Sequence, residues 1–357
     1  MGPDFRTYKL LKPVSRIWAA VSSVRNRLFD KGILRSETFR LPVISVGNIT
    51  VGGTGKSPHT AYIASLLARS GRTAILSRGY GRQTKGFRMV SPSDTYRSVG
   101  DEPLMLSILL PDVCVAVDED RAHGIRTIIN KVNPRVIVLD DAFQHRKVTP
   151  SLNILLINYN RNILLDCPMP AGRLRESASN RDRADIMVVT KCPQGIGLSE
   201  MESISAELVT ARQQRVWFST MEYGPLYRLS DHTVYSPDIS TPILAVTGIA
   251  SPDAMVAHLK DTFREVALIS YPDHHRFTSR NLLKIGRTLD AIGSGAIIVT
   301  TEKDASRFLS ADMPPGLIGR IFVLPIAVRF LKDGDLFDSL ITEHVESFEK
   351  NNSHDCT

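Results

Sequence analysis

Apolar residues in this chain follow two alternating rhythms. Short, nearly continuous apolar runs occur at 41–46, 73–77, 113–117, 136–139, 154–157, 186–190, 243–246, 296–300 and 321–324. Longer stretches with helical character lie between several of them, at 59–69, 103–110, 120–130, 199–213, 252–263 and 279–292. A run of a few apolar residues bounded by turn formers reads as a strand buried on both faces, whereas three-to-four spacing over a longer stretch reads as a helix with one apolar side. The alternation predicts an α/β fold: a mainly parallel sheet with helices on both faces. The stretch 223–241, rich in Pro, Tyr and Ser and weakly periodic, marks a boundary before a smaller C-terminal α/β unit. The expected organisation is an N-terminal segment at 1–40, a core at 41–225, the second unit at 226–348 and a polar tail at 349–357.

A further helical pattern stands apart at the N-terminus, where Ile17, Val21, Val24 and Leu28 recur with Trp18 beside them. Here charge changes the picture. Residues 1–40 hold nine cations (Arg6, Lys9, Lys12, Arg16, Arg25, Arg27, Lys31, Arg35 and Arg40) and three acids (Asp4, Asp30 and Glu37). That segment carries +6 of the chain's formal +7, so the basic balance belongs to the N-terminus and not to a nucleic-acid-binding face of the core. An apolar stripe flanked by cations suits an amphipathic helix lying in an anionic membrane interface. The alternative is a helix whose stripe packs on the main domain, its cations merely solvated. No motif of a nucleic-acid module accompanies it.

With 357 residues, 43% hydrophobic and 23% charged, the chain has ample length for a core and an ordinary globular composition. Cys114, Cys167, Cys192 and Cys356 are scattered without a C-x-x-C pair, which argues against a zinc site or disulfide framework and fits a reducing compartment. No apolar stretch approaches the roughly 18 residues of a spanning helix, and no signal-peptide core appears. The body is expected in the cytoplasm.

Chemistry concentrates first at Gly47-Asn48-Ile49-Thr50-Val51-Gly52-Gly53-Thr54-Gly55-Lys56-Ser57-Pro58, between a strand and a helix. Strand, glycine-rich turn, Lys-Ser, helix is the context of a phosphate-binding loop, which predicts a P-loop NTPase-like core using a nucleoside triphosphate. Residues Val51 to Pro58 would cradle ATP, Lys56 would reach its terminal phosphates and Ser57 would offer a hydroxyl to Mg²⁺. Thr50 stands where the common consensus has its first glycine, and Val51 where a deviant branch of such loops has a lysine. A second signal, the strand 136–139 ending in Asp140-Asp141, would put a carboxylate beside the loop-bound Mg²⁺. His145 and Arg146 follow as phosphate contacts or as a solvated turn. Polar clusters also interrupt apolar context at Ser77-Arg78-Gly79-Tyr80-Gly81-Arg82, Gly100-Asp101-Glu102-Pro103, Pro170-Ala171-Gly172-Arg173-Leu174-Arg175-Glu176, Asp273-His274-His275 and Thr301-Glu302-Lys303-Asp304. Asp101 alone reads equally as a helix cap.

In this order the clusters resemble the tetraacyldisaccharide 4'-kinase family, the lipid A 4'-kinases of Gram-negative bacteria, from the basic N-terminus to the Thr301-Glu302-Lys303-Asp304-Ala305 segment. Two departures are mild: Ala142 stands where the family commonly has glycine, and Ser57 where threonine is more frequent. The resemblance implies transfer of the ATP γ-phosphoryl to the 4'-hydroxyl of an acylated glucosamine disaccharide 1-phosphate, a lipid A precursor. It implies Asp101 as acceptor of the hydroxyl proton with His274 as its partner, Asp140 and Asp141 as metal- and nucleotide-linked acids, and catalytic contributions from Lys56, Arg121, His145, Arg175 and Glu176. The second unit would then contribute to the active-site cleft. It also implies a peripheral enzyme on the cytoplasmic face of the inner membrane, held on anionic lipid through its N-terminal helix, with no nucleic-acid or obligate protein partner. Two other readings of the loop stay open on residues alone: a P-loop kinase or ATPase with a soluble substrate, and a nucleotide-dependent switch or metal chaperone.

Overall fold

The computed structural model describes residues 9–353, so Asp4 and Arg6 of the basic segment and the last four residues of the expected tail lie outside it. After a short turn at Lys9–Leu11, helix α1 spans Lys12–Asp30. The first half of the chain then supplies β1 (Val43–Gly47), α2 (Lys56–Ala68), β2 (Thr73–Ser77), β3 (Arg88–Met89), α3 (Tyr96–Val99), α4 (Asp101–Leu109) and β4 (Cys114–Val117). It continues with α5 (Arg121–Val132), β5 (Val136–Asp140), β6 (Leu152–Asn158), β7 (Ile186–Thr190), α6 (Leu198–Leu208) and β8 (Arg215–Tyr223).

The core strands are continuous apolar runs because both faces of their sheet are covered. Along β5, Val136 and Val138 join Ile44, Val46, Ile63 and Leu67 on one side, while Ile137 and Leu139 join Val43, Leu76, Ile125 and Ile128 on the other. Successive side chains point to opposite faces, so a strand sandwiched between helix layers has no polar position to spare. Strands β4, β2, β5, β1, β6, β7 and β8 are mutually parallel neighbours in that order, with β3 antiparallel at the β4 edge. The expected mainly parallel sheet is present.

A second, six-stranded sheet follows: β9 (Leu226–Arg228), β10 (Val234–Tyr235), β11 (Ile243–Thr247), α7 (Asp253–Thr262), β12 (Val266–Ser270), α8 (Ser279–Ile292), β13 (Ile297–Thr301), α9 (Glu302–Leu309) and β14 (Ile321–Leu324). Its order is β10-β9-β14-β13-β11-β12, parallel from β12 to β14. The polar, weakly periodic stretch read as a boundary forms the antiparallel edge hairpin β9–β10 of this sheet.

The chain then leaves that sheet. Immediately past Pro325, β15 (Ile326–Phe330) pairs antiparallel with β8, Ile326 opposite Tyr223 and Phe330 opposite Ser219, as the other edge of the first sheet. Helix α10 (Gly334–Ser353) lays Phe337, Ile341 and Val345 into the first core. The unit expected at 226–348 is therefore a separate sheet only over 226–324, and the expected tail begins as helix. Arg329 in β15 and the acids and lysine of α10 diluted the apolar signal there, although Phe337, Ile341 and Val345 sit four apart on one helix side. Phe337 is fully buried, with ring centroids 4.3 Å from Phe330 and 5.4 Å from Trp217. Tyr62 Oη donates to Asp338 at 2.8 Å, and Arg135 grips Glu349 with both Nε and Nη2.

Because α10 closes the first core, Phe337→Ala is expected to cost about 3–5 kcal/mol of unfolding free energy. Equilibrium denaturation reads this directly; a loss below about 1 kcal/mol, the range of surface changes, would show that the helix is dispensable to that core.

Candidate active site

Parallel strands bring their carboxyl ends to one edge, and in this sheet β1, β5 and β2 are adjacent. The glycine-rich loop after β1, Asp140-Asp141 after β5 and Ser77-Arg78 after β2 therefore emerge side by side. Within the loop, carbonyl oxygens are tied back into the body. Thr54 O accepts from Thr190 Oγ1 at 2.9 Å, Gly53 O from Asn158 Nδ2 at 3.3 Å, and Val51 O from Arg161 Nη1 at 3.3 Å. Asn48 Nδ2 bonds Thr54 Oγ1 at 2.7 Å. Gly52 and Gly55 take φ of +95° and +79°, and a Cβ on Gly55 would stand 2.5 Å from the Met221 methyl. Thr50 is tolerated where the common loop has glycine because it bridges Leu174 as strand-like backbone and never enters the left-handed region. Gly55 caps α2 without a side chain, so the helix opens toward the loop with its first N–H groups facing an anion site. Behind it, burial takes His59 down to about 4, against the pull of the Gly55 carbonyl, so the imidazole is a neutral bridge between Gly55 O and Ser219 Oγ.

The first helical residue, Lys56, puts Nζ 3.7 Å from Asp141 Oδ2, and Arg175 Nη1 lies 3.2 Å from the same oxygen. Asp141 itself sits at φ +47°. Its neighbour Asp140 is fully buried, one oxygen accepting from Thr60 Oγ1 and the other from Ser77 Oγ, each at 3.1 Å. Burial pushes the Asp140 carboxyl up, the charges of Glu102 and Asp141 push it further, and Lys56 only partly opposes them. Gly100, just before α4, packs against Gly79 and Tyr80 in the loop after β2, which places the start of α4 on the same cleft.

Arg121 is buried at the start of α5, donating to Asp118 O and, at 3.4 Å, to Asp140 O. It buttresses the acidic strand end from behind. Burial, then the Arg121 and Arg78 charges, bring His145 down to about 4, so it is uncharged near neutrality. Glu176 is buried among other partners. Its carboxylate accepts from Asn26 Nδ2 at 3.0 Å, Arg183 Nη2 at 2.6 Å and Gln144 Nε2 at 3.3 Å, which ties α1 to the body. Pro58 lies in the first turn of α2.

Across the cleft, Asp101 opens α4 and His274 sits at φ +59° in the loop between β12 and α8. His274 Nδ1 and Asp101 Oδ2 are 2.8 Å apart. Burial alone would raise the Asp101 carboxyl, but the His274 hydrogen bond and the Lys303 and Arg307 cations outweigh it and hold the group well below the usual carboxylate range. Sequence reading singled out Lys303 without a role; its Nζ lies 3.5 Å from Glu102 Oε1, 3.6 Å from Asp273 Oδ1 and 3.4 Å from His274 Nε2. Arg307, which reaches Asp101 from α9, was missed, although it lies one helical turn beyond the flagged Lys303-Asp304. Lys191 was missed as well: it directly follows β7 at φ +58°, with Nζ against Gly53 of the loop.

The geometry has counterparts. The family model of tetraacyldisaccharide-1-P 4'-kinase matches residues 7–346. The tetraacyldisaccharide 4'-kinase of Phocaeicola vulgatus is 41% identical over 99% of both chains. That of Bacteroides thetaiotaomicron is 42% identical, over 98% of this chain and 96% of its own. The crystal structure of Aquifex aeolicus LpxK in complex with ATP superposes with a TM-score of 0.74 at 31% identity, covering 94% of this chain and 98% of that one. The fold expected from the sequence, a P-loop NTPase-like α/β core with a smaller second α/β unit, is the one present. The chain thus belongs to the tetraacyldisaccharide-1-P 4'-kinase family and is a kinase.

Proposed function

We propose that the cleft transfers the γ-phosphoryl group of ATP to the 4'-hydroxyl of an acylated glucosamine disaccharide 1-phosphate in lipid A biosynthesis, with Mg²⁺, at the cytoplasmic face of the inner membrane. One observation carries this reading: a phosphate loop with Lys56 and a buried acid on one wall faces an ionised carboxylate–imidazole pair on the other. Phosphoryl transfer asks mostly for positioning and charge neutralisation, which Lys56, the α2 N-terminus and Arg175 supply. A sugar hydroxyl also asks for a proton acceptor, a role that the hydrogen-bonded Asp101–His274 pair supports.

Ser57, Asp140 and Asp141 would hold Mg²⁺. They fit: all three offer hard oxygen, and Asp140 is a buried carboxyl whose ionised form is disfavoured by burial and two nearby acids, a condition a divalent cation relieves. Among the described residues no three His, Cys, Asp or Glu converge on a point, and Mg²⁺ commonly uses one or two carboxylates with phosphate and water. When bound, the ion neutralises charge on the β- and γ-phosphates.

Helix α1 supports the membrane reading by docking with the opposite polarity from an ordinary surface helix. Ser15 and Asn26 are the buried residues, Ser15 Oγ accepting from Ala171 N at 2.8 Å and Asn26 reaching Glu176. Ile17, nine residues before Asn26, lies about half a turn away at roughly 100° per residue, and is 67% exposed with Val21 at 62%. Val14, Trp18 and Val24 are also exposed, flanked by the exposed cations Lys12, Arg16, Arg25 and Arg27. No described helix is long and apolar enough to cross a membrane, so the fitting geometry is a helix lying in the interface.

Three outcomes test these roles. Phosphate transfer from labelled ATP to the lipid acceptor in detergent should fall about 10²–10⁴-fold in kcat for Asp101→Asn, with KM for ATP nearly unchanged, whereas Lys56→Ala should also impair nucleotide use. Near-normal turnover in Asp101→Asn would remove it from the chemistry and leave it a helix cap.

The Mg²⁺ concentration for half-maximal rate should rise, or the rate at saturating Mg²⁺ fall, in Asp140→Asn and Asp141→Asn, because a carboxylate contributes charge that the amide lacks. An unchanged Mg²⁺ titration in both variants would make this strand end structural.

Replacing Ile17, Val21 and Val24 together with Ser should weaken binding to anionic vesicles by about tenfold or more and raise KM for the lipid while leaving ATP handling intact; rising salt should weaken the wild type too, each cation near the surface being worth about 1 kcal/mol. Normal vesicle binding with a lowered melting temperature would make the stripe a packing face.

A further inference from the structure

Arg307 is 1% exposed and uses every nitrogen of its guanidinium. Nε donates to Asp101 Oδ2 at 3.2 Å and Nη2 to the same oxygen, while Nη1 donates to Asp304 Oδ1 at 2.7 Å and to Gly248 O at 3.0 Å. Asp304 is pinned in turn: its Oδ2 accepts from Gly248 N at 2.9 Å, Thr301 Oγ1 at 2.9 Å and Thr247 Oγ1 at 3.3 Å. A continuous chain of charge-assisted bonds thus runs from the ends of β11 and β13 in the second sheet, through Asp304 and Arg307, to Asp101 of α4 in the first unit and on to His274. Such bonds are short, directional and about twice as strong as neutral ones, and a planar guanidinium keeps its geometry where an ammonium would not.

We infer that Arg307 is the positioning residue of the acceptor pair: from the second sheet it fixes the Asp101 carboxylate, keeps it ionised and leaves His274 aligned for the incoming hydroxyl. This rests on the reading of Asp101–His274 as the proton-accepting pair. The charged and titratable groups around that pair are Glu102 on α4, Lys303 and Arg307 on α9, Asp273 on the His274 loop and Tyr80 after β2, with Asp304 behind Arg307. Of the two cations, Lys303 is partly open to water and shared among three acids and His274, whereas Arg307 is enclosed, bonds the Asp101 oxygen that holds His274, and brings Nη2 to 3.4 Å from His274 Nδ1 itself. A carboxylate that loses its enclosed cation is protonated at higher pH. The pair depends on the carboxylate being ionised, so activity on the acid side should fail earlier.

The test is the pH dependence of kcat for lipid-acceptor phosphorylation in Arg307→Gln, Arg307→Lys and Asp101→Asn, with melting temperatures and KM for ATP. Arg307→Gln should lose about a hundredfold or more in kcat, keep KM for ATP within about twofold, and move the acidic limb of the profile upward by about one pH unit or more. Arg307→Lys, which keeps the charge but not the fork, should recover part of the rate and place the limb between the two. If Arg307→Gln does not fold, Arg307→Lys alone decides by the same limb. A limb that stays where the wild type has it, with only the melting temperature lowered, overturns the inference and leaves Arg307 as a clamp between sheets. If Asp101→Asn turns over normally, the reading of the pair itself fails; if Asp101→Asn is dead and the Arg307 profiles are unmoved, only the inference about Arg307 fails.

Discussion

The register of β1 against β5, with Val46 opposite Asp140, is the constraint on which the rest of the site depends. It sets the end of the acidic strand level with the start of the glycine-rich loop, so Lys56 and Asp141 meet across a gap of 3.7 Å. A slip of one residue would turn every side chain of the strand to the other face of the sheet. Asp140 would then lose Thr60 and Ser77, and the helix layers would meet the wrong apolar set. Burial on both faces makes that slip prohibitive, which is why catalytic precision here is inherited from packing.

The second sheet completes what the first begins. It carries His274, Lys303 and Arg307 to the rim where Asp101 opens α4, and the chain then returns through β15 and α10 to close the first core. The two units are joined by a strand pairing, a core helix and a run of buried ion pairs. The wall of the cleft that holds Asp101 and His274 exists only where those elements meet.

Much of this was legible in the sequence. Most of the two-faced strands declared themselves as unbroken apolar runs, and Lys56, Asp140 and Asp141 stood out at strand ends and the glycine-rich turn; interior β8, interrupted by Ser219, Thr220 and Glu222, did not. What escaped had a physical reason. Strands β3, β9 and β10 are only two or three residues long, and β12 and β15 lie at sheet edges, too short or too exposed to mark out a run. Glu176 carries the right charge in the right segment, yet its direction, toward Asn26 and Arg183, is a tertiary fact. Arg307 looks like an ordinary helix cation until the fold buries it beside two acids. His145 reads as a phosphate contact or a solvated turn, while burial beside Arg121 and Arg78, which lowers its pKa, is visible only in the fold.

The inverted docking of α1 has a colloidal consequence. With its polar side against the body, Leu10, Val14, Ile17, Trp18, Val21 and Val24 stay in water, a contiguous apolar surface on a molecule whose other cores are closed. Monomeric proteins seldom leave such a patch uncovered. Among the described residues these side chains stay uncovered, so in aqueous buffer without lipid a like face on another copy competes for them. Amphiphile added to the buffer is the agent that would cover the face and keep copies apart.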